Sequence, residues 1–184
     1  MLGGKKMIWN IPNILTLLRL ILIPVYWLLM MVRNNETAAL IVFLFASATD
    51  LLDGYIARKY NQVTDWGKLF DPLADKLMVL SVLLSLLLKG IIPTAIIVIV
   101  LIKEALMMMG AAFMLYRKVV VYSKPIGKTA QFTTILGMVL AFFRNYFISP
   151  LHIYVLWAAT VLSLIAFLYY GIGCIHSLQS KKLA

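Results

Sequence analysis

Long apolar stretches broken by short polar turns dominate the chain. Six of them can be read at 14–32, 38–57, 67–88, 91–116, 125–147 and 151–175, each close to the roughly 20 residues a membrane-crossing helix needs. Pro93, Pro125 and Pro150 stand at or beside segment starts, where a missing N–H costs least. The Asn34-Asn35 and Ser149-Pro150 pairs carry turn chemistry. Asn13 is expected to cap the first helix, with Thr16 and Arg19 on the same face. The expected fold class is therefore all-α, a polytopic membrane protein of six transmembrane helices. Its parts are an interfacial segment 1–13, a six-helix domain 14–175 and a tail 176–184.

Composition supports this pattern and removes alternatives. The 184 residues are 63% hydrophobic and 13% charged, against about 45–50% and 25% in soluble domains. A soluble enzyme and a nucleic-acid-binding tail are both excluded, so the expected partner is the lipid bilayer and not nucleic acid. Lys5 and Lys6 before the first apolar run resemble a signal peptide, but Arg19 interrupts that run and no clean cleavage site follows. A retained span is expected, with Met7 as a second possible start. The single Cys174 makes no internal disulfide.

Charge sets the orientation. With the N-terminus inside, the inner surface receives Lys5, Lys6, Arg58, Lys59, Lys68, Arg117, Lys118, Lys124, Lys128, Lys181 and Lys182, and the outer surface only Arg33, Lys89 and Arg144. That positive-inside bias places both termini and the loop after the second span in the cytoplasm. The net charge of +10 suits contact with anionic lipid.

The chemistry is concentrated in one window. Five of the seven acidic residues lie between Asp50 and Asp75. On helices, Asp50 shares a face with Asp53 and Asp71 with Asp75, and a hairpin closed at the cytoplasmic side lets those faces converge. Carboxylates so placed repel unless a cation neutralises them. An all-oxygen donor set suits Mg²⁺ or Mn²⁺, and four carboxylates can hold two ions. Gly54 and Ala57 leave space for a ligand, and Arg58 is one turn further for a phosphate. Asp65 lies outside this arrangement, as a helix cap beside Thr64.

The pattern Asp50-x2-Asp53-Gly54-x2-Ala57-Arg58-x8-Gly67-x3-Asp71-x3-Asp75 resembles the signature of the CDP-alcohol phosphatidyltransferases, with each of its eight fixed positions matched. The resemblance implies a membrane transferase that displaces CMP from a CDP-linked lipid with a hydroxyl acceptor and divalent metal. It makes Asp50, Asp53, Asp71 and Asp75 metal ligands and Asp75 also the general base. It puts Asp50, Gly54, Ala57, Arg58 and Gly67 at the nucleotide.

Asn13, Thr16 and Arg19 resemble the Pro-Asn-x-x-Thr-x-x-Arg opening of the branch that forms phosphatidylglycerophosphate. Two readings stand for them: cap plus snorkelling arginine, or contacts to nucleotide (Asn13, Thr16) and acceptor phosphate (Arg19). Lys103 and Glu104 are adjacent within the fourth span, so each is expected to find a partner on another span, in an acceptor pocket or a structural ion pair. Lys128 opens the fifth span, as acceptor-phosphate contact or interfacial anchor.

The same branch carries Arg-Glu and Lys-x-Lys-Thr where this chain has Lys103-Glu104 and Ile126-Gly127-Lys128-Thr129. The implied reaction joins CDP-diacylglycerol to glycerol 3-phosphate at the cytoplasmic face of a bacterial-type plasma membrane. The cardiolipin-forming branch, whose acceptor is phosphatidylglycerol, is the alternative, an ion-coupled transporter a remote one, and a second copy of the chain a further partner.

Overall fold

A computed structural model describes residues 10–59, 65–116, 125–147 and 149–182. Those residues form six α-helices: α1 (Ile11–Trp27), α2 (Glu36–Lys59), α3 (Asp65–Leu88), α4 (Thr94–Tyr116), α5 (Pro125–Phe142) and α6 (Leu151–Lys182). Each apolar segment expected from the sequence is helical over most of its length. Among the expected inner-surface cations, Lys5, Lys6, Arg117, Lys118 and Lys124 lie outside the described residues.

The helix ends follow their local chemistry. Asn10, not Asn13, caps α1: its backbone is extended and its side-chain oxygen accepts the Asn13 N–H at 3.0 Å. The expected cap is thus shifted by three residues. Pro12 explains the shift, because a proline is tolerated in the first helical turn, where an N–H has no helical acceptor. Pro24 lies inside α1 and removes one rung of its ladder. Just beyond it the chain widens into a π-helical turn, Leu28–Val32, closed by Arg33 N–H on Leu28 O at 2.9 Å.

Asn34 then takes a left-handed conformation, φ 51°, and the Asn35 side chain caps α2 by accepting the Ala38 N–H at 3.0 Å. At the other end of the hairpin, α3 stops at Gly90, φ 69°. Gly90 N–H meets Leu87 O at 2.8 Å and Ile91 N–H meets Leu86 O at 2.9 Å, the paired bonds of a Schellman stop. At the C-terminus, α6 runs to Lys182, beyond the apolar limit at 175.

The chain divides into two compact units, 1–85 and 86–184. In the first, α1 packs on α2. Ala39, Phe43 and Ala46 give α2 a fully buried stripe at helical spacing, and Ala74, Met78 and Val82 do the same for α3. A polar pin crosses this apolar interior: Tyr26 of α1 and Ser85 of α3, both fully buried, share a hydrogen bond of 2.5 Å.

In the second unit α6 packs on both α5 and α4. Gly137 allows the close α5–α6 approach, since a Cβ there would lie 2.8 Å from the Leu156 side chain and 3.3 Å from its backbone nitrogen. Buried His152 at the start of α6 lies 3.3 Å from the carbonyl oxygen of Ile91.

Many large apolar side chains face outward. Ile41 and Phe45 on α2, Ile102 and Met109 on α4, Phe132 on α5, and Tyr154, Leu168 and Ile172 on α6 are all exposed. Leaving a large apolar side chain in water forfeits about 1.5–3 kcal/mol, so such faces belong in lipid or under a partner. Among the described residues, two helical stretches, Ile11–Val32 and Leu151–Gly173, are long and apolar enough to cross a membrane.

Candidate active site

The aspartate motif is built on the α2–α3 hairpin. Asp50, Asp53, Gly54, Ala57 and Arg58 lie on the last ten residues of α2, and Gly67, Asp71 and Asp75 on the first eleven of α3. Both spacings therefore operate on continuous helix, as expected, so each aspartate pair shares a face one turn apart. The side chains of Asp53, Ala57 and Arg58, and the surroundings of Gly54 and Gly67, lie outside the described residues. Asp50, Asp71 and Asp75 are each partly exposed.

The face of α1 that carries Thr16 and Arg19 is directed at these carboxylates. Thr16, 3% exposed, hydrogen-bonds the Asp71 carboxylate, and its oxygen also lies 3.1 Å from the Pro12 carbonyl. Both partners only accept, so the one hydroxyl proton is divided between them. One turn on, Arg19 Nη1 is 2.9 Å from Asp50 Oδ1, with the arginine side chain 1% exposed and the aspartate 29%. One helix thus touches both halves of the motif, Asp50 on α2 and Asp71 on α3.

The sequence pattern points Thr16 to a nucleotide and Arg19 to an acceptor phosphate, or Arg19 to the interface as a snorkelling side chain, and its spacing contains no sign of this pairing. A signal for it lies in the charges instead. A guanidinium in an apolar helix needs a carboxylate partner, and most of the chain's carboxylates lie in this one hairpin. The backbone N–H of Asn13 donates to its cap, Asn10.

In the second unit, the Lys103 ammonium and the Glu104 carboxylate of α4 form an ion pair with each other. This corrects the expectation that adjacent positions keep them apart. Their Cβ atoms diverge, but both side chains are long and sit mostly buried, 12% and 17% exposed. With little water to solvate either charge, the neighbouring opposite charge is the first available partner. Lys128 is exposed in the first turn of α5, followed by Thr129, whose hydroxyl returns to the Ile126 carbonyl at 2.9 Å.

The donor chemistry around the hairpin fits a hard divalent cation. Aspartate oxygens are acceptors only, and Arg19 offsets one of the four carboxylates of the motif. Among the described residues no three His, Cys, Asp or Glu side chains gather into a metal-holding group. The Asp53 side chain, one member of the tetrad, stands outside that set.

Comparison with known proteins agrees with the motif. The family model described as CDP-alcohol phosphatidyltransferase matches residues 9–165, which take in α1, the hairpin, α4, α5 and part of α6. A CDP-diacylglycerol–glycerol-3-phosphate 3-phosphatidyltransferase of Rickettsia typhi is 42% identical over 131 residues, 70% of this chain and 72% of that protein. Proteins of the same name from Rickettsia prowazekii and Bacillus subtilis are 42% identical over 131 residues and 36% identical over 110. Those alignments cover 70% and 52% of this chain, and 71% and 57% of the two relatives. On a match that spans nearly the whole chain and contains the complete aspartate motif, this chain belongs to the CDP-alcohol phosphatidyltransferase family.

Proposed function

We propose that this chain transfers the phosphatidyl group of CDP-diacylglycerol to the hydroxyl of glycerol 3-phosphate, releasing CMP and forming phosphatidylglycerophosphate. The observation that carries this reading is the complete aspartate motif on the α2–α3 hairpin, in a chain whose relatives bear the name of that reaction. The protein is integral to the membrane. All six helices span it, both termini lie in the cytoplasm, and the hairpin's closed end faces the same side, where soluble glycerol 3-phosphate arrives. Residues 14–175 make up the transferase domain, flanked by an interfacial segment 1–13 and a tail 176–184 into which α6 continues.

Asp50, Asp53, Asp71 and Asp75 would hold Mg²⁺ or Mn²⁺, with room in the donor set for two ions. Such ions supply charge neutralisation for the diphosphate and the departing CMP. The chain's own residues do the rest. Asp75 takes the proton from the acceptor hydroxyl as its oxygen attacks the lipid-side phosphorus. The bond from that phosphorus to the bridging oxygen breaks, and CMP leaves with the electron pair. Gly54 and Ala57 admit the nucleotide close to α2, Gly67 does so on α3, and Arg58 pairs with a phosphate.

Lys128 provides a cation for the acceptor's phosphate, with Lys103 as a second. Arg19, buried against Asp50, is withdrawn from that acceptor set. Thr16 and Asn13 act at the nucleotide end through the start of α1, Thr16 by way of Asp71.

Purified protein incubated with CDP-diacylglycerol and Mn²⁺ tests the reading through CMP release. Glycerol 3-phosphate should be required for release, and phosphatidylglycerol should not replace it. Release driven by phosphatidylglycerol, with cardiolipin as product, would overturn the acceptor while leaving the motif's role intact.

A further inference from the structure

The Arg19–Asp50 contact has a geometry that an acceptor-binding or merely anchoring arginine does not require. Arg19 is one of the most deeply buried side chains among the described residues, while the Asp50 it meets at 2.9 Å keeps 29% of its surface open. A snorkelling arginine sends its charge out to the interface; this one sends it inward. A guanidinium remains charged at any accessible pH, so burying it without a carboxylate would be prohibitive. Asp50 in turn belongs to a motif of four carboxylates on two consecutive helices, whose mutual repulsion is greatest when no cation is bound. Thr16, one turn earlier on α1, does for Asp71 with a hydroxyl what Arg19 does for Asp50 with a charge.

We propose that Arg19 is a positioning residue that serves as the resident counter-charge of the aspartate motif. It holds Asp50 in place in the metal-free protein and weakens the binding of a divalent cation beside it. The proposal rests on the metal-binding role given above to the aspartates. Its physical content is an exchange. Without metal, the guanidinium neutralises part of the carboxylate charge and keeps the hairpin from opening. With metal, the same positive charge repels the incoming cation, so affinity stays moderate and the site remains exchangeable.

The test compares the full-length wild-type protein with Arg19→Met in detergent micelles, by thermal unfolding in EDTA and in saturating Mn²⁺, and by electron paramagnetic resonance titration of free Mn²⁺. Loss of the counter-charge should lower the Tm in EDTA by roughly 5 °C or more. Saturating Mn²⁺ should restore most of that loss, and Mn²⁺ should bind about threefold or more tighter than to wild type.

An arginine that merely fills space predicts something else: the same loss of Tm with and without Mn²⁺, and an unchanged Mn²⁺ affinity. That result would overturn the proposal while leaving the aspartates as ligands. Failure of wild type and variant alike to bind Mn²⁺ would overturn the metal reading and the exchange together.

The double variant Arg19→Met/Asp50→Asn keeps the proposal testable should the single one not fold. Removing both charges should recover most of the Tm in EDTA. A double variant no more stable than Arg19→Met, or one that also fails to fold, would overturn the counter-charge role.

Discussion

Replacing Thr16 by valine isolates one atom of the site. The side chain is 3% exposed, so an isosteric β-branched substitute keeps the packing of α1 and removes only the hydroxyl. What is lost is a hydrogen bond to the Asp71 carboxylate, of a kind that contributes about 1.5–3 kcal/mol when one partner is charged. The Pro12 carbonyl, 3.1 Å from the same oxygen, shares the one proton. That sharing puts the expected value at the lower end of the range, about 1.5 kcal/mol.

If Asp71 must be held in place in the transition state, kcat/KM for CMP release should fall roughly tenfold in Thr16→Val. Thr16→Ser keeps the hydroxyl and should stay within about threefold of wild type. The assay is CMP release at saturating metal, with a thermal melt run in parallel to exclude simple unfolding. A Thr16→Val enzyme as active as wild type would refute the claim that this bond positions Asp71. A Thr16→Ser enzyme as damaged as the valine variant would refute it too, since it would trace the effect to the missing methyl group.

Further outcomes follow from the same site. Excess chelator should abolish CMP release, and added Mg²⁺ or Mn²⁺ should restore it; full activity in chelator would remove metal from the reaction. Asn in place of Asp50, Asp53, Asp71 or Asp75 should each reduce turnover by roughly a hundredfold or more, whereas Asp65→Asn, outside the motif, should remain near wild type in the same assay. Lys128→Ala should raise the apparent KM for glycerol 3-phosphate by roughly tenfold with little change for CDP-diacylglycerol, and Arg58→Ala should do the reverse. Gly137→Ala should destabilise the α5–α6 pairing by about 1–2 kcal/mol, visible as a lower Tm, because the added Cβ meets Leu156 at 2.8 Å.

The six helices can be read from the chain because each coincides with a long apolar run bounded by polar or turn-forming residues. Turn chemistry marks the breaks: Asn34-Asn35 and Pro93 stand in the structure where the apolar pattern pauses. Features that depend on backbone continuity are less legible. Pro24 sits within an unbroken apolar run, so nothing in hydropathy signals the π-helical turn that follows it. In the same way α6 outlasts its apolar stretch, since a helix satisfies its own backbone in water as well as in lipid.

The functional residues divide along a similar line. The spacing of Asp50, Asp53, Asp71 and Asp75 is local to two helices, and periodicity alone places each pair on one face. The partners of Thr16 and Arg19 depend on how α1 lies against α2 and α3, which no local pattern contains. Lys103 and Glu104 illustrate the opposite case: adjacent spacing predicts that they stay apart, but flexible side chains in an apolar setting bend to meet.

The most direct test of the central claim follows the acceptor's own atoms into the product. Purified protein is supplied with CDP-diacylglycerol, Mn²⁺ and glycerol 3-phosphate labelled in its carbon skeleton, and the lipid phase is separated by thin-layer chromatography. The account predicts label in a lipid that migrates as phosphatidylglycerophosphate, formed in a one-to-one ratio with released CMP and absent from Asp75→Asn. Released CMP with all of the label left in the aqueous phase would contradict it.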